Sequence, residues 1–317
     1  MYIVLLVLLL FFPGCKRQTT VTHFQGNMHT HPYHIQIGQA LSQSEKDDVT
    51  LLLHQVFETI DTYYNHWNPH SELAQINQLF VGETFTISPQ LLDLIQEAES
   101  LTKLTEGRFN PTFGSLISVW KKALKNKALP PSVTSVPIGW TAFSFEQGIA
   151  KRLIEGAEID LDGLIKGFAI DLIIEKLREK GYCSLYVEWG GDMRTVGNHP
   201  SGRSWMVALP IFENNLIPLE MALATSGTDQ QSCEIEGKRY SHIVIPETKE
   251  ALPTLETVSV KAPSCLLADA LATALMTFPT AKAAINYLDK HQDLFKECTV
   301  WINSHQGEVQ KWEPTKQ

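Results

Sequence analysis

Two hydrophobic periods alternate along this chain. Residues 44–67 and 89–104 carry apolar side chains every three or four positions, which predicts amphipathic helices. Ser88 followed by Pro89 predicts the start of the second helix. Other segments alternate apolar and polar residues as strands do, for example residues 184–189. Because helices and strands mix without strict β–α–β alternation, the pattern predicts one α+β domain.

Residues 121–140 interrupt this order. The segment is first basic and then rich in proline, which predicts a surface excursion without regular structure. Beyond it, the pattern predicts short strands at residues 142–160, then a helix that begins within residues 159–171.

The amino terminus has the pattern of an export signal. Its apolar run of about eleven residues stops at Pro13, whereas a membrane-spanning helix needs roughly 20 apolar residues. Gly14 and Cys15 follow, as at a bacterial lipoprotein cleavage site. The sequence therefore predicts a lipoprotein-type signal peptide at residues 1–14, a lipid on Cys15 and a tether over residues 15–27. The alternative is a plain signal peptide with an incidental cysteine.

Charge and cysteine content narrow the classes of function. The formal net charge is −9 and the isoelectric point about 5.7, so no excess of basic residues is available to neutralise a nucleic-acid backbone. A small phosphate ligand remains compatible, because a helix amino terminus and a metal ion hold it locally. The cysteines after Cys15 lack the spacing of zinc ligands, and the favoured interpretation is that they are buried thiols.

The stretch "IDLDGLIKGFAID", residues 159–171, combines acids, glycines and a lysine at the start of a helix. A helix amino terminus has unpaired N–H groups and favours anions. Gly163 would let a ligand approach the backbone, and Lys166 adds positive charge. Asp160 and Asp162 would accept hydrogen bonds from a ligand or cap the helix. A capped helix with a solvated lysine is the alternative.

A second candidate site lies in "SCLLADALATALM", residues 264–276. Asp269 and Thr273 are four positions apart and therefore share one face of the predicted helix. Their oxygens are hard ligands suited to Mg²⁺, although a surface acid with a threonine bonded to its own helix is equally compatible. His242 lies in the strand-like "RYSHIVIP", where a lone histidine is more often structural.

Taken in order, the motifs of this chain resemble those of the FAD:protein FMN transferases, the ApbE family. The family patterns are M-G-T, T-x-G-x-F-D-P-T-x-G, D-L-G-G-x-A-K-G-Y-A-x-D, G-G-D, T-S-G, S-H-I-x-D-P-x-T-G and A-D-A-L-x-T-A-L. This chain has M-H-T, "TEGRFNPTFG", "IDLDGLIKGFAID", "GGD", "TSG", "SHIVIPETK" and "ADALATAL". Trp67 stands where members often have a tyrosine. The chain departs from the patterns at His29, Asn110, Ile245 and Lys249, so the turn after His242 is expected to differ.

The resemblance implies a single ApbE-like, T-fold-like α+β domain over residues 28–313, with mixed, mainly antiparallel strands and packed helices. It implies Mg²⁺-dependent transfer of FMN from FAD to a Ser or Thr hydroxyl of a target protein, with release of AMP. FAD would contact Met28, Trp67, Arg108, Phe109, Asn110, Asp160, Lys166 and Val244. Mg²⁺ would be bound by Gly163, Asp269, Ala272 and Thr273. His242 and Asp269 would be the catalytic residues, with His242 a candidate base.

The resemblance also implies a partner and a location. The partner would be a flavin-accepting protein, such as a subunit of a membrane NADH:quinone reductase or a related redox complex. Together with the predicted signal peptide, it implies an exported protein that is lipid-anchored to the bacterial cell membrane on its periplasmic side. Two alternatives share the site residues: an FAD pyrophosphatase that yields FMN and AMP, and a non-catalytic FAD-binding lipoprotein.

Overall fold

The computed structural model describes residues 19–130, 132–209, 216–228, 232–252, 254–305 and 309–315. The predicted signal peptide and Cys15 lie outside these residues, so both stay predictions. Within them, no helix combines the length and the apolar character needed to cross a membrane.

Helices and strands alternate irregularly along the described chain. The helices are α1 (Gln43–Thr59), α2 (Glu72–Gln78), α3 (Pro89–Leu104), α4 (Gly114–Asn126), α5 (Ile165–Glu179), α6 (Cys265–Leu275) and α7 (Ala281–Lys290). A π-helical turn (Ile60–Tyr64) continues α1, and 3₁₀ turns lie at Pro111–Phe113 and Trp140–Ala142. The strands are β1 (Thr22–Met28), β2 (His31–Ile37), β3 (Phe85–Thr86), β4 (Phe143–Glu146), β5 (Ile149–Arg152), β6 (Leu185–Trp189), β7 (Asp192–Val196), β8 (Trp205–Ala208), β9 (Leu216–Leu219), β10 (Ala222–Gly227), β11 (Ser232–Ile235), β12 (Lys238–Ser241), β13 (Leu255–Ala262), β14 (Thr299–Ser304) and β15 (Val309–Trp312).

The central layer is an eight-stranded sheet in the order β1-β2-β6-β7-β10-β13-β14-β15. Its neighbouring strands all pair antiparallel. Strands β3, β5 and β4 form a small second sheet, while β8–β9 and β11–β12 are separate hairpins. The predicted α+β class with mainly antiparallel strands is therefore confirmed.

The main hydrophobic core lies on one face of the large sheet, beneath α5 and α6. Ala222 and Ala224 of β10 point into this core, whereas Leu223 between them joins a cluster on the opposite face with Val207 and Leu219 of the β8–β9 hairpin. This alternation follows from the two-residue period of a strand. Small side chains on β10 let α6 approach the sheet closely, which brings its polar residues next to the strand ends.

A smaller core lies between α4 and the β11–β12 hairpin. Trp120 of α4 stacks on Tyr240 of β12, with ring centroids 5.5 Å apart, and Val244 joins the same cluster. The predicted excursion at residues 121–140 is therefore wrong at its start, because α4 continues to Asn126. The basic side chains that suggested an exposed loop lie on an amphipathic helix.

Two further predictions concern boundaries. The start of α3 is confirmed: the Ser88 side chain accepts a hydrogen bond from the Leu91 N–H, and Pro89 opens the helix. The tether over residues 15–27 is wrong at its carboxyl end, because Thr22–Met28 form β1 and pair with β2. This polar segment can form a strand because β1 is an edge strand of the sheet, where one face meets solvent.

The four cysteines in the described residues are free thiols. Cys265 and Cys298 are buried, as expected of small apolar side chains, whereas Cys183 is exposed. Burial raises the pKa of Cys298 to about 12, so that thiol stays protonated at neutral pH.

Candidate active site

The stretch at residues 159–171 delivers Lys166 into a buried group of charges, which we call the inner cluster: Lys166, Asp192 and Asp269. The Lys166 ammonium group donates a hydrogen bond to Asp192 and lies 3.7 Å from Oδ1 of Asp269. Oδ1 of Asp192 also accepts a hydrogen bond from the Thr225 N–H, at 3.1 Å. The Lys166 ammonium therefore lies where four elements meet: helices α5 and α6 and strands β7 and β10.

Helices α5 and α6 cap each other. The Gly167 N–H, in the first turn of α5, donates to Oδ2 of Asp269 at 3.2 Å. In return, the carboxylate of Asp171 on α5 accepts from the N–H groups of Cys265 and Leu266, each at 3.0 Å. First-turn N–H groups have no partner within their own helix. The two carboxylates satisfy some of them and also fix the two helices relative to each other.

Gly167 makes this contact possible. A Cβ added at Gly167 would lie 2.3 Å from the carbonyl oxygen of Cys265, well inside van der Waals contact. Asp171 is held in turn by Arg194 of β7, whose guanidinium group donates to Oδ1 at 2.5 Å. Gly167 and Asp171, the last acid of the sequence motif, therefore set the spacing between α5 and α6.

The predicted metal ligands lie together on the sheet side of this helix pair. Asp269 and Thr273 are on the same face of α6, and a Cβ added at Gly163 would lie 3.4 Å from Oγ1 of Thr273. That hydroxyl is 3.3 Å from Oγ of Ser226. Ala272 is fully buried, and its carbonyl accepts a hydrogen bond from the Met276 N–H. One lone pair of that carbonyl is therefore already in use.

Burial and charge pairing shift the pKa values of the inner cluster in opposite directions. Burial raises the pKa of Asp269 to about 7, although the charge of Lys166 acts in the opposite direction. For Lys166, burial disfavours the ammonium form, but the attraction of Asp192 and Asp269 outweighs it and raises the pKa. Lys166 therefore stays cationic at neutral pH.

A second group of polar side chains lies at the rim, and we call it the outer cluster: His66, Trp67, Lys121, Asp160 and Asp162. Oδ2 of Asp162 accepts from the Trp67 indole N–H at 3.3 Å and from the Lys121 ammonium at 3.2 Å. Lys121 is also 3.7 Å from Asp160. Nδ1 of His66 lies 3.7 Å from Asp160 and 3.6 Å from Asp162.

The outer cluster changes the interpretation of the two acids. Neither caps α5, because the residue at the N-cap is Leu164 and it makes no side-chain capping bond. The alternative of a capping acid is therefore wrong. Asp160 is buried, which raises its pKa, and the nearby charge of Asp162 raises it further. Asp160 lies in the same cluster as Trp67, which is also a predicted FAD contact.

The loop before α4 packs against the metal-ligand residues. Phe109 is buried in the main core, and its ring would be 3.2 Å from a Cβ added at Gly163. Oδ1 of Asn110 accepts from the N–H and the hydroxyl of Thr112, at 3.1 and 2.7 Å. In the described contacts, both residues shape this loop; their predicted contacts with FAD stay predictions.

Arg108 connects this loop to the end of α6. Its guanidinium group donates to the Thr277 carbonyl at 3.1 Å and lies 3.7 Å above the Phe278 ring centroid. It also forms an ion pair with Glu247. The predicted FAD ligand Arg108 therefore holds the segment after β12 against α6.

That segment carries His242. The histidine follows β12 directly and is half-buried, with Ile243 in the main core and Val244 in the smaller core. Residues 242–244 therefore bridge the two cores. Val244 is not in the described contacts of the inner or outer cluster, so its predicted place next to FAD also stays a prediction.

His29 and Lys249, which stand at glycine positions of the family patterns, both have a left-handed backbone conformation. Lys249 has φ 59° and His29 has φ 51°, a region that glycine adopts most easily. The Lys249 N–H donates to the Ile245 carbonyl, and the Lys249 carbonyl accepts from the indole N–H of Trp120. The substitution at Lys249 therefore does not in itself require a different turn.

Met28, the first predicted FAD contact, ends β1 and packs half-buried against the main core. It pairs with His31, the first residue of β2. A Cβ added at Gly190 would contact both His31 and Lys166, at 3.3 and 3.2 Å. The end of the β1–β2 hairpin therefore lies next to the inner cluster.

An open, mainly apolar cleft of about 460 Å³ between α1, α3 and α5 lies apart from these clusters. Its walls include Val56, Leu94 and Phe168, with Asp93 and Glu97 among its polar residues. None of the predicted site residues lines it. This cleft is therefore not the candidate site.

Sequence reasoning missed four residues that the structure places at the site. They are Asp192, which pairs with Lys166, Lys121, which pairs with Asp162, Ser226, which lies next to Thr273, and Asp171, which caps α6. Three of them lie in motifs that the sequence analysis had identified, and these motifs were the available signal: Asp192 in "GGD", Ser226 in "TSG" and Asp171 in "IDLDGLIKGFAID". Lys121 had none, because its segment was predicted to be an excursion.

Comparison with known proteins gives a consistent result. The sequence model of the ApbE family matches residues 28–296. A protein of Chlamydia pneumoniae named FAD:protein FMN transferase is 37% identical over 302 residues, which covers 92% of this chain and 95% of that protein. A Vibrio cholerae protein of the same name is 31% identical over 87% of this chain and 86% of its own length.

Solved structures show the same fold. The apo form of the flavinyl transferase ApbE of Pseudomonas stutzeri superposes with a TM-score of 0.77 at 21% identity, covering 92% of this chain and 94% of that one. The flavin transferase ApbE of Vibrio cholerae gives a TM-score of 0.74 at 24% identity, covering 92% and 96%. At these identities the likeness establishes the architecture.

Proposed function

The chain belongs to the ApbE family, and on that premise we propose that it is an FAD:protein FMN transferase. In this reaction a Ser or Thr hydroxyl of a target protein attacks the phosphorus of the FMN half of FAD. The hydroxyl oxygen forms a bond to that phosphorus, and the bridging P–O bond to the AMP half breaks. AMP leaves with the electron pair of the broken bond, and the target carries FMN as a phosphoester.

The observation that carries the proposal is the convergence of Lys166, Asp269, Thr273 and Gly163 at the α5–α6 pair. A cation and hard oxygen donors side by side suit a diphosphate together with a divalent metal. Mg²⁺ would suit this donor set; Asp269, Thr273 and the carbonyl of Gly163 would hold it, with Ala272 as a further candidate. When bound, the metal would neutralise phosphate charge and polarise the bond that breaks.

The chain's own residues have separate roles in this proposal. Lys166, cationic and fixed by two carboxylates, would provide positive potential for the diphosphate. Asp160 and Trp67 would contact the nucleotide at the rim, together with Met28, Arg108, Phe109, Asn110 and Val244. His242 would accept the proton of the attacking hydroxyl. Arg108 and Glu247 would help to place it, since they fasten its segment to α6.

The test uses the full chain in detergent with FAD, Mg²⁺ and a peptide that carries a Ser or Thr acceptor. We expect flavin fluorescence on the denatured peptide, together with AMP. Free FMN and AMP without labelled peptide would identify an FAD pyrophosphatase instead. FAD that binds but stays intact would identify a non-catalytic flavin-binding protein.

We further propose that the protein is exported and anchored by a lipid on Cys15, on the periplasmic side of the bacterial cell membrane. The apolar run before Pro13, followed by Gly14 and Cys15, supports this. The proposed partners are flavin-accepting subunits of a membrane NADH:quinone reductase or a related redox complex. Cys15→Ser should move the protein out of the membrane fraction, with Cys183→Ser as the control; unchanged fractionation would contradict the anchor.

A further inference from the structure

We infer that Asp162 and Lys121 are positioning residues that hold the Trp67 ring in place as a stacking surface for one of the flat rings of FAD. The inference rests on the proposed function, and it assigns a role to two residues outside the predicted FAD and metal ligands. It concerns the rim of the site, where Trp67 keeps 63% of its surface exposed.

The exposed Trp67 ring is held by two of its neighbours. The Trp67 ring has its indole N–H bonded to Oδ2 of Asp162 at 3.3 Å. The Lys121 ammonium lies 4.7 Å from the ring centroid and donates to the same Oδ2 at 3.2 Å. One carboxylate oxygen therefore fixes both the ring and the cation above it, and the three groups restrain one another.

The pairing of residue types supports a shared role. An indole N–H is only a donor, so the Trp67 ring needs an acceptor. Asp162 supplies it, and a Lys121 ammonium over the ring adds cation–π attraction.

The same groups argue against a metal ion in the outer cluster. His66, Asp160 and Asp162 offer ligand atoms within 4.8 Å of one another. The Lys121 ammonium already lies 3.2 Å from Asp162 and 3.7 Å from Asp160. It provides the positive charge that these carboxylates require, and a metal ion would have to displace it.

A fixed ring binds better than a mobile one. Immobilising a side chain on binding costs about 0.5–1.5 kcal/mol, which corresponds to about a two- to tenfold change in affinity. If the ring is already held before FAD arrives, that cost is absent. We therefore expect Asp162→Ala to weaken FAD binding about two- to tenfold, and Lys121→Met to act in the same direction.

The decisive experiment is a double-mutant cycle on FAD affinity, with Asp162→Ala, Trp67→Ala and the double variant of the full chain. If Asp162 acts through Trp67, its effect disappears once Trp67 is absent. An equal loss of affinity with and without Trp67 would overturn the inference, as would no loss in either background. Lys122→Met, at the neighbouring exposed lysine of α4, is the control for Lys121→Met.

A second readout does not depend on FAD. In protein labelled with 5-fluorotryptophan, the ¹⁹F resonance of Trp67 is the one lost in Trp67→Phe. We expect this line to shift or broaden in Asp162→Ala and to move less in Asp162→Asn, which retains an acceptor oxygen. An unchanged line in Asp162→Ala would refute the inference even if FAD binding failed, and a failure of FAD binding alone would count against the proposed function.

Discussion

The inner and outer clusters differ in what holds them. Lys166, Asp192 and Asp269 are held by regular elements: α5 and α6, which cap each other, and strands β7 and β10 of the large sheet. Trp67, Lys121 and Asp162 lie at the rim, where one carboxylate oxygen joins an indole and an ammonium in contact with solvent. Charges in the buried cluster are little screened, whereas those at the rim face water. Equal substitutions should therefore have unequal effects, and that inequality can be measured.

The largest effect is expected for Asp269→Asn. It removes the proposed anionic metal ligand and one of the two partners of Lys166, so we expect FMN transfer to fall about a hundredfold or more. The measurement is the initial rate of AMP release with FAD and acceptor peptide. Asp162→Asn is the matched control from the outer cluster. Equal losses in the two variants would contradict the distinction between the clusters.

Gly167→Ala tests the spacing of the two helices. A methyl group 2.3 Å from the Cys265 carbonyl must push α5 and α6 apart, which should lower the free energy of unfolding by about 1–3 kcal/mol. Urea denaturation gives that value directly. Transfer activity should fall too, because Lys166 and Asp269 then separate. Wild-type stability in this variant would show that the helix pair is less rigid than we infer.

Asp171→Asn tests the reciprocal cap without changing the size of the side chain. The variant loses its ion pair with Arg194 and weakens two bonds to first-turn N–H groups, so we expect a loss of about 1–2 kcal/mol of stability. Chemical denaturation again measures it, and Asp162→Asn should change stability by less than about 1 kcal/mol. An equally large loss of stability in Asp162→Asn would mean that the outer cluster also stabilises the fold.

The smallest effect is expected at the left-handed turn. Lys249→Gly relieves a positive φ of 59°, which costs a side-chain-bearing residue about 1–2 kcal/mol. Glycine also gains conformational freedom in the unfolded chain, about 0.4–1 kcal/mol. The net gain in stability should therefore stay below about 1.5 kcal/mol. A destabilised Lys249→Gly variant would indicate that the Lys249 side-chain bond to the Thr134 carbonyl matters more than the backbone.

The sequence predicted those features whose causes are local. Ser88 and Pro89 set the start of α3 because an N-cap and a first-turn proline act within four residues. Asp269 and Thr273 share a face because helical spacing requires it. The reciprocal cap was not predictable in this way. Asp171 and Asp269 each accept hydrogen bonds from the first-turn N–H groups of a helix about a hundred residues away in the chain.

The outer cluster was still harder to predict. Lys121 lies in a basic stretch whose composition resembles a loop, and its partner Asp162 follows Asp160 in a motif with several interpretations. The packing of α4 against residues 156–158 brings the two charges together: Ser115 donates to the Gly156 carbonyl, and Ser118 donates to the Glu158 carboxylate at 3.3 Å. In the inner cluster, the order of the motifs supplied the same long-range information, so Lys166 and Asp269 were identified in advance while Asp192 was not.

The central claim is that this chain moves FMN from FAD to a protein hydroxyl. Its most direct test measures, in one reaction of the full chain with FAD, Mg²⁺ and an acceptor peptide, both the AMP released and the mass of the peptide. We predict one AMP for each peptide that gains the mass of FMN less one water. AMP released with no change in the mass of the peptide would contradict the claim.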